Sequence, residues 1–201
     1  MPSAGPNSPG TLANGSVNTN NWTNPSNAGA SDNAYATLAA NGNPGRLDGY
    51  NLGFAIPAGA SIDGIVVEVE IKISTGSDTL DANLAADLPG GSGFASTKFA
   101  SYNTTEGYKT FGSSSDTWGR AWTAAEINSS NFGAFVAPEA ASGTVSVDHL
   151  RVTVYSTPAS ALEESGGVDL ATGQSAEFLA LADASFEALA ALVLELAIPD
   201  V

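Results

Sequence analysis

The chain has no cysteine, one methionine, one histidine and only six basic residues among 201. Each shortage closes a class of function. Without cysteine there is no disulfide, no thiolate metal centre and no thiol nucleophile. One histidine without cysteine leaves the usual zinc ligand sets incomplete. The bases Arg46, Lys72, Lys98, Lys109, Arg120 and Arg151 are scattered against 21 acids, for a formal charge of −15. Nucleic-acid affinity rests on neutralising phosphates with Lys and Arg, so DNA and RNA are not expected partners, nor are anionic membrane surfaces. No apolar run is long and uncharged enough to span a bilayer. The opening "MPSAGPNSPG" has neither a basic start nor an apolar stretch, so no secretory signal is expected, and a soluble protein made in the cytoplasm is.

What is present is small, polar and β-prone. Charged residues make up 13% of the chain and apolar ones 43%, enough for one packed core. In "IDGIVVEVEIKIS", Ile65, Val67, Val69, Ile71 and Ile73 face one way while Glu68, Glu70 and Lys72 face the other. That is an antiparallel strand with one wet side. "SGTVSVDHLRVTVYS" repeats the pattern with a slip. Val145 and Val147 share one side of an extended chain, Leu150, Val152 and Val154 the other, so one extra residue at Asp148-His149 is needed for both halves to feed one core. That is the mark of a β-bulge.

Further strands are expected at "AYATLA", "LDGYNLGFAI", "TLDANLAADL", "YKTF" and from Phe132 to Ala137, and Thr123 to Glu126 fits a capping box opening one helical turn. The expected fold is all-β, an antiparallel β-sandwich of jelly-roll or immunoglobulin-like kind. Residues 1–33, rich in Asn, Gly, Ser and Pro, read as an extended arm with Trp22 as its anchor and a short strand from Thr11 to Val17. Residues 34–158 form the sandwich. Residues 159–201 form an acidic C-terminal extension holding eight acids and no base, which leaves 13 acids (21 − 8) and all six bases before it. Within it a helix is expected over 176–197, with Leu179, Ala182, Phe186, Leu189, Val193 and Leu196 as its apolar stripe. The alternation Leu192, Leu194, Leu196, Ile198 leaves a strand open there.

The candidate chemistry is thin. Asp148 and His149 are neighbours on a strand and point to opposite faces unless the bulge re-aims one. Asp78, Asp81 and Asp87 offer carboxylates to calcium, but not at EF-hand spacing. Trp118, Trp122, Tyr102 and Tyr108 could form an aromatic platform for sugar rings, or plug the end of the core. No G-x-S-x-G elbow is present. The expectation is therefore no catalytic residues, no cofactor-binding residues, no metal ligands and no cofactor: a protein that is not an enzyme.

Four segments carry a resemblance: "NWTNPSNAGASDNAYATL", "LGFAIPAGASIDGIVVEVEIK", "SSSDTWGRAWTAAEINSSNFGAFVA" and "ASGTVSVDHLRVTVYST". In this order, over about residues 8–158, they resemble a group of β-sandwich proteins from the structural gene regions of tailed bacteriophages and prophages. The resemblance implies a virion protein, first of all a capsid decoration (cement) protein stabilising the head by contacts with the major capsid protein. It would act as a homo-oligomer, a trimer being one form. The alternative it implies is a tail-fibre or baseplate module that binds carbohydrate or a receptor. The acidic extension departs from the group, whose members often continue in glycine- and valine-rich stranded repeats.

Overall fold

In a computed structural model the chain separates into a unit spanning Met1–Ala159 and another spanning Ser160–Val201. The structure describes residues 2–15, 20–39, 45–89, 94–139 and 143–159, all in the first unit. The helix expected over 176–197, and most of the acidic extension, lie outside the described residues.

Among the described residues the first unit is an antiparallel sandwich of ten strands. They are β1 (Ser3–Asn7), β2 (Thr11–Asn14), β3 (Ala36–Ala39), β4 (Leu47–Tyr50), β5 (Ser61–Ile73), β6 (Ser77–Ala85), β7 (Lys98–Asn103), β8 (Gly107–Gly112), β9 (Gly133–Pro138) and β10 (Thr144–Thr157). The first sheet runs β8–β5–β10, with β1 and β3 both on the far side of β10; the second runs β2–β4–β9–β6–β7. Consecutive strands cross from sheet to sheet at nearly every step, the habit of jelly-roll sandwiches. The 2–15 segment is extended, and it is stitched into both sheets: β1 pairs with β10 and β2 with β4.

β5 and β10 form the spine because their alternation is the strongest in the chain. The whole apolar row of each is buried, Ile65 to Ile73 on one and Val145 to Val154 on the other. The register slips between Val147 and His149, so Asp148 is the extra residue of a bulge. On the side of β10 away from β5, β3 covers residues 144–147 and β1 covers 152–155, leaving a gap opposite the bulge. Into that gap comes the segment after the 3-10 turn Pro25–Ala28: Gly29 bridges His149, and the Asp32 and Asn33 amides reach the Asp148 carboxylate.

Leu47, Leu80, Leu84 and Val136 of the second sheet meet that spine, and Trp22, Phe54, Trp118, Trp122 and Phe132 close the ends of the core. Each buried indole N–H finds a carbonyl: Trp22 on Gly45, Trp118 on Ile65, Trp122 on Thr117. Gly112, at φ +78°, ends β8 beneath Trp118; a Cβ there would collide with the Ile65 carbonyl and the indole nitrogen. The capping box forms as the sequence implies, opening a single turn α1 (Ala124–Ile127) with Thr123 and Glu126 bonding each other's backbone N–H.

Candidate functional site

The outward faces of the two sheets carry the chemistry, and they differ. On the first sheet, cross-strand pairing lines up Tyr108, Glu70 and His149 in one row and Thr110, Glu68 and Arg151 in the next. Arg151 grips both Glu68 oxygens (2.9 and 3.1 Å) and lies 4.2 Å over the Tyr108 ring. Lys72 bonds Glu106 and the Tyr35 hydroxyl, both at 2.7 Å, and covers the Tyr35 ring. Hydrogen bonding to its carboxylate raises each cation's pKa: Glu106 first for Lys72, Glu68 first for Arg151.

The lone histidine sits in this network. Its Nδ1 meets the Tyr108 hydroxyl at 2.8 Å and its Nε2 the Ser8 hydroxyl at 2.7 Å. Burial, then the Arg151 charge, lowers its pKa, which favours the neutral ring. Ser8 and His149 thus lie within the distance of a nucleophile and its base. The third position, however, holds a phenol, which lacks the carboxylate charge that steadies the imidazolium of a serine hydrolase. The Asp148 carboxylate is buried and accepts from the Asp32 and Asn33 amides, while the His149 ring is taken up by the Tyr108 and Ser8 hydroxyls.

The second sheet presents another kind of surface. Alternation and pairing place Asp48, Phe135 and Asn83 in one outward row and Ala137, Asp81 and Phe99 in the next. Phe99 is 65% exposed and Phe94, before β7, is 47% exposed; they are the exposed large apolar side chains among the described residues. Phe94 packs edge-on against Phe135, with ring centres 5.5 Å apart. Arg46 lies over the Phe135 ring and holds Asp48 through two bonds of 2.5 and 2.6 Å, both partners buried. Burial raises the Asp48 carboxyl against the lowering effect of Arg46. Asp81 is raised by burial, then by the nearby Glu139 and Asp78, and its Oδ1 is closed to solvent with no hydrogen bond. Thr97, exposed at the rim, accepts from Asn83 Nδ2.

Of the two readings open for the four aromatics, core packing describes three and the sugar platform is not assembled. Trp118, Trp122 and Tyr102 are buried and serve the core, because each polar tip has a partner inside; Tyr108 alone of the four reaches an outward face. Asp78 and Asp81 do not converge, since three residues along one strand put them on opposite sides. The most exposed outward aromatics among the described residues, Phe94 and Phe99, lie in a stretch that shows little alternation in the sequence. The signal that could have found them is Phe99 standing between Lys98 and Ala100, with Ser101 next on its own side.

No protein-family model matches the chain, and no curated protein matches it. Among solved structures it is similar to CBM1 of BiXyn10A in its apo form, at TM-score 0.43 and 11% identity, covering 76% of this chain and 96% of that one. It is also similar to the CBM22-1 xylan-binding domain of Paenibacillus barcinonensis Xyn10C, at 0.40 and 8%, covering 78% and 95%. A third, the enzymatically active domain of bacteriophage CBA120 tailspike protein 4, is matched at 0.36 and 9% over 71% of this chain and 19% of that one. The sandwich itself rests on the strand pairing above.

Proposed function

We propose that the chain is a non-enzymatic binding module of a tailed-phage or prophage particle, and that the outward face of its second sheet recognises a neutral glycan. One observation carries this: Phe94 and Phe99 expose their rings on a face whose neighbouring groups are hydrogen-bonding, Asp81 beside Phe99 and Thr97 at the rim. A sugar has a C–H face that stacks on an aromatic ring and an edge of hydroxyls that donate to carboxylates. Asp81, with Glu139 close by, would repel uronic or sialic acids and favour uncharged rings.

The test is a glycan array followed by titration calorimetry on the hits. Saturable binding is expected, lost in Phe99→Ala while thermal stability is retained, since truncating an exposed side chain costs no more than about 0.5 kcal/mol. Silence across the array, or binding indifferent to Phe99→Ala, overturns the reading.

A second reading keeps the head decoration role, favoured by the four phage-like segments. The same exposed rings would then pack on the major capsid protein or on a second copy. In that case the chain stays on purified particles at a copy number fixed by the capsid lattice, and Phe99→Ala releases it without any glycan being involved.

A further inference from the structure

Beside the bulge of β10, the outward side of the first sheet holds a separate constellation, independent of the glycan reading. Glu70 of β5, Glu106 just before β8 and Asp148 in the bulge each bring one carboxylate oxygen within 4.8 Å of the other two. Such groups are common on solvated acidic surfaces; here Glu70 and Glu106 are half-buried, but one oxygen of each is shut off from solvent. Glu70 Oε2 and Glu106 Oε1 are closed to solvent, and no hydrogen bond reaches either one. The Asp148 residue is 2% exposed, and its oxygens meet the Asp32 and Asn33 amides at 3.4 and 3.2 Å, long for bonds to a charged acceptor.

A buried carboxylate oxygen without a donor loses its hydration and receives nothing in return. Three carboxylates together also repel one another. Lys72 offsets part of this, but its ammonium bonds Glu106 Oε2, the oxygen opposite the orphaned one. The Arg151 guanidinium is engaged by Glu68. Three carboxylates and one ammonium leave two formal negative charges (3 − 1 = 2) beside the two orphaned oxygens.

We propose that Glu70, Glu106 and Asp148 hold a calcium ion that ties the 29–35 segment to the bulge of β10. The donors are all carboxylate oxygen, the choice of a hard cation and not of zinc or copper. Calcium accepts carboxylate cages of flexible geometry, whereas magnesium dehydrates reluctantly and is seldom held by an all-protein set. One divalent ion cancels the residual charge and satisfies both orphaned oxygens. It also explains why Asp148, an acid, occupies the bulge, where it bonds the 32–33 amides and faces the two glutamates.

The full chain, stripped with EDTA, is titrated with calcium chloride by calorimetry, with terbium luminescence sensitised by Tyr35 and Tyr108 as a second readout. One saturable site is expected, with a melting temperature that climbs with calcium concentration. Glu70→Gln and Glu106→Gln should each weaken binding by about tenfold or more, and Asp81→Asn on the far sheet should leave it unchanged. The two glutamates are the variants of choice because Asp148→Asn also disturbs the 32–33 amides. Absence of calcium-dependent heat and luminescence, an equal response to magnesium, or unchanged binding in the Glu70→Gln/Glu106→Gln double variant would overturn the proposal.

Discussion

The two outward faces are built on the same scaffold and manage charge in opposite ways. On the first sheet most charged groups have a partner across the strand: Arg151 with Glu68, Lys72 with Glu106, His149 between two hydroxyls. On the second, one ion pair is sunk completely, Asp48 at 0% and Arg46 at 4% exposure, and Asp81 keeps an oxygen with no donor beside two open phenyl rings. Outside the Glu70, Glu106 and Asp148 group, the charges of the first face satisfy each other and have little left to offer a sugar. A face with bare rings has something to gain from one. The difference separates a structural surface from a recognition surface, and it can be attacked from both sides.

The largest effect is expected at the sunken pair. Arg46→Met strands a buried carboxylate and should cost about 3–5 kcal/mol in urea unfolding, while adding Asp48→Leu should recover most of that. A loss below about 1 kcal/mol for the single variant would mean that Asp48 is not held as the geometry indicates. On the first sheet Arg151→Met removes a half-buried pair with Glu68 and the cover over Tyr108. It should cost only about 1 kcal/mol and leave glycan binding untouched. If it abolishes binding, the two faces have been assigned the wrong way round.

The smallest effect concerns Asp81. Its folded pKa is raised, by burial first and then by Glu139 and Asp78. The folded chain therefore holds this proton more tightly than the unfolded chain does. Its favourable contribution is complete below the ordinary carboxyl value of about 3.9 and is lost as pH rises through the folded value. At pH 7 the ionised group is a burden, so Asp81→Asn should stabilise by a few tenths of a kcal/mol after solvent screening. That gain should shrink to nothing on acidification towards pH 4. A gain that persists in acid would place the effect outside the charge.

Legibility in the sequence followed contrast. β5 and β10 were readable because their apolar and polar residues alternate cleanly, and even the bulge showed as a slip in phase. The capping box was readable because it is a local exchange over four residues. β7 was not, since "KFASYN" puts an aromatic on each side: Phe99 outward and Tyr102 into the core. β1 is an edge strand containing Pro6, a residue that argues against strand in sequence but is tolerated where the ladder has one side. The second-sheet face draws Asp48, Asp81, Phe94, Phe99 and Phe135 from distant segments. The carboxylate group joins Glu70, Glu106 and Asp148 only once β8, β5 and β10 are side by side. No spacing rule links residues that register alone brings together.

Ser3 pairs with Tyr155, and the Ser156 amide reaches the Pro2 carbonyl at 3.2 Å. The start and finish of the described unit are thus a hand's clasp apart, at one corner of the sandwich. A short linker could join them into a ring, and the chain could be reopened in a surface loop without disturbing β5 or β10. Cargo joined at either end of the described unit, before Pro2 or after Thr157, would emerge from that one corner, which makes this unit a convenient insert for grafting into a host protein's loop.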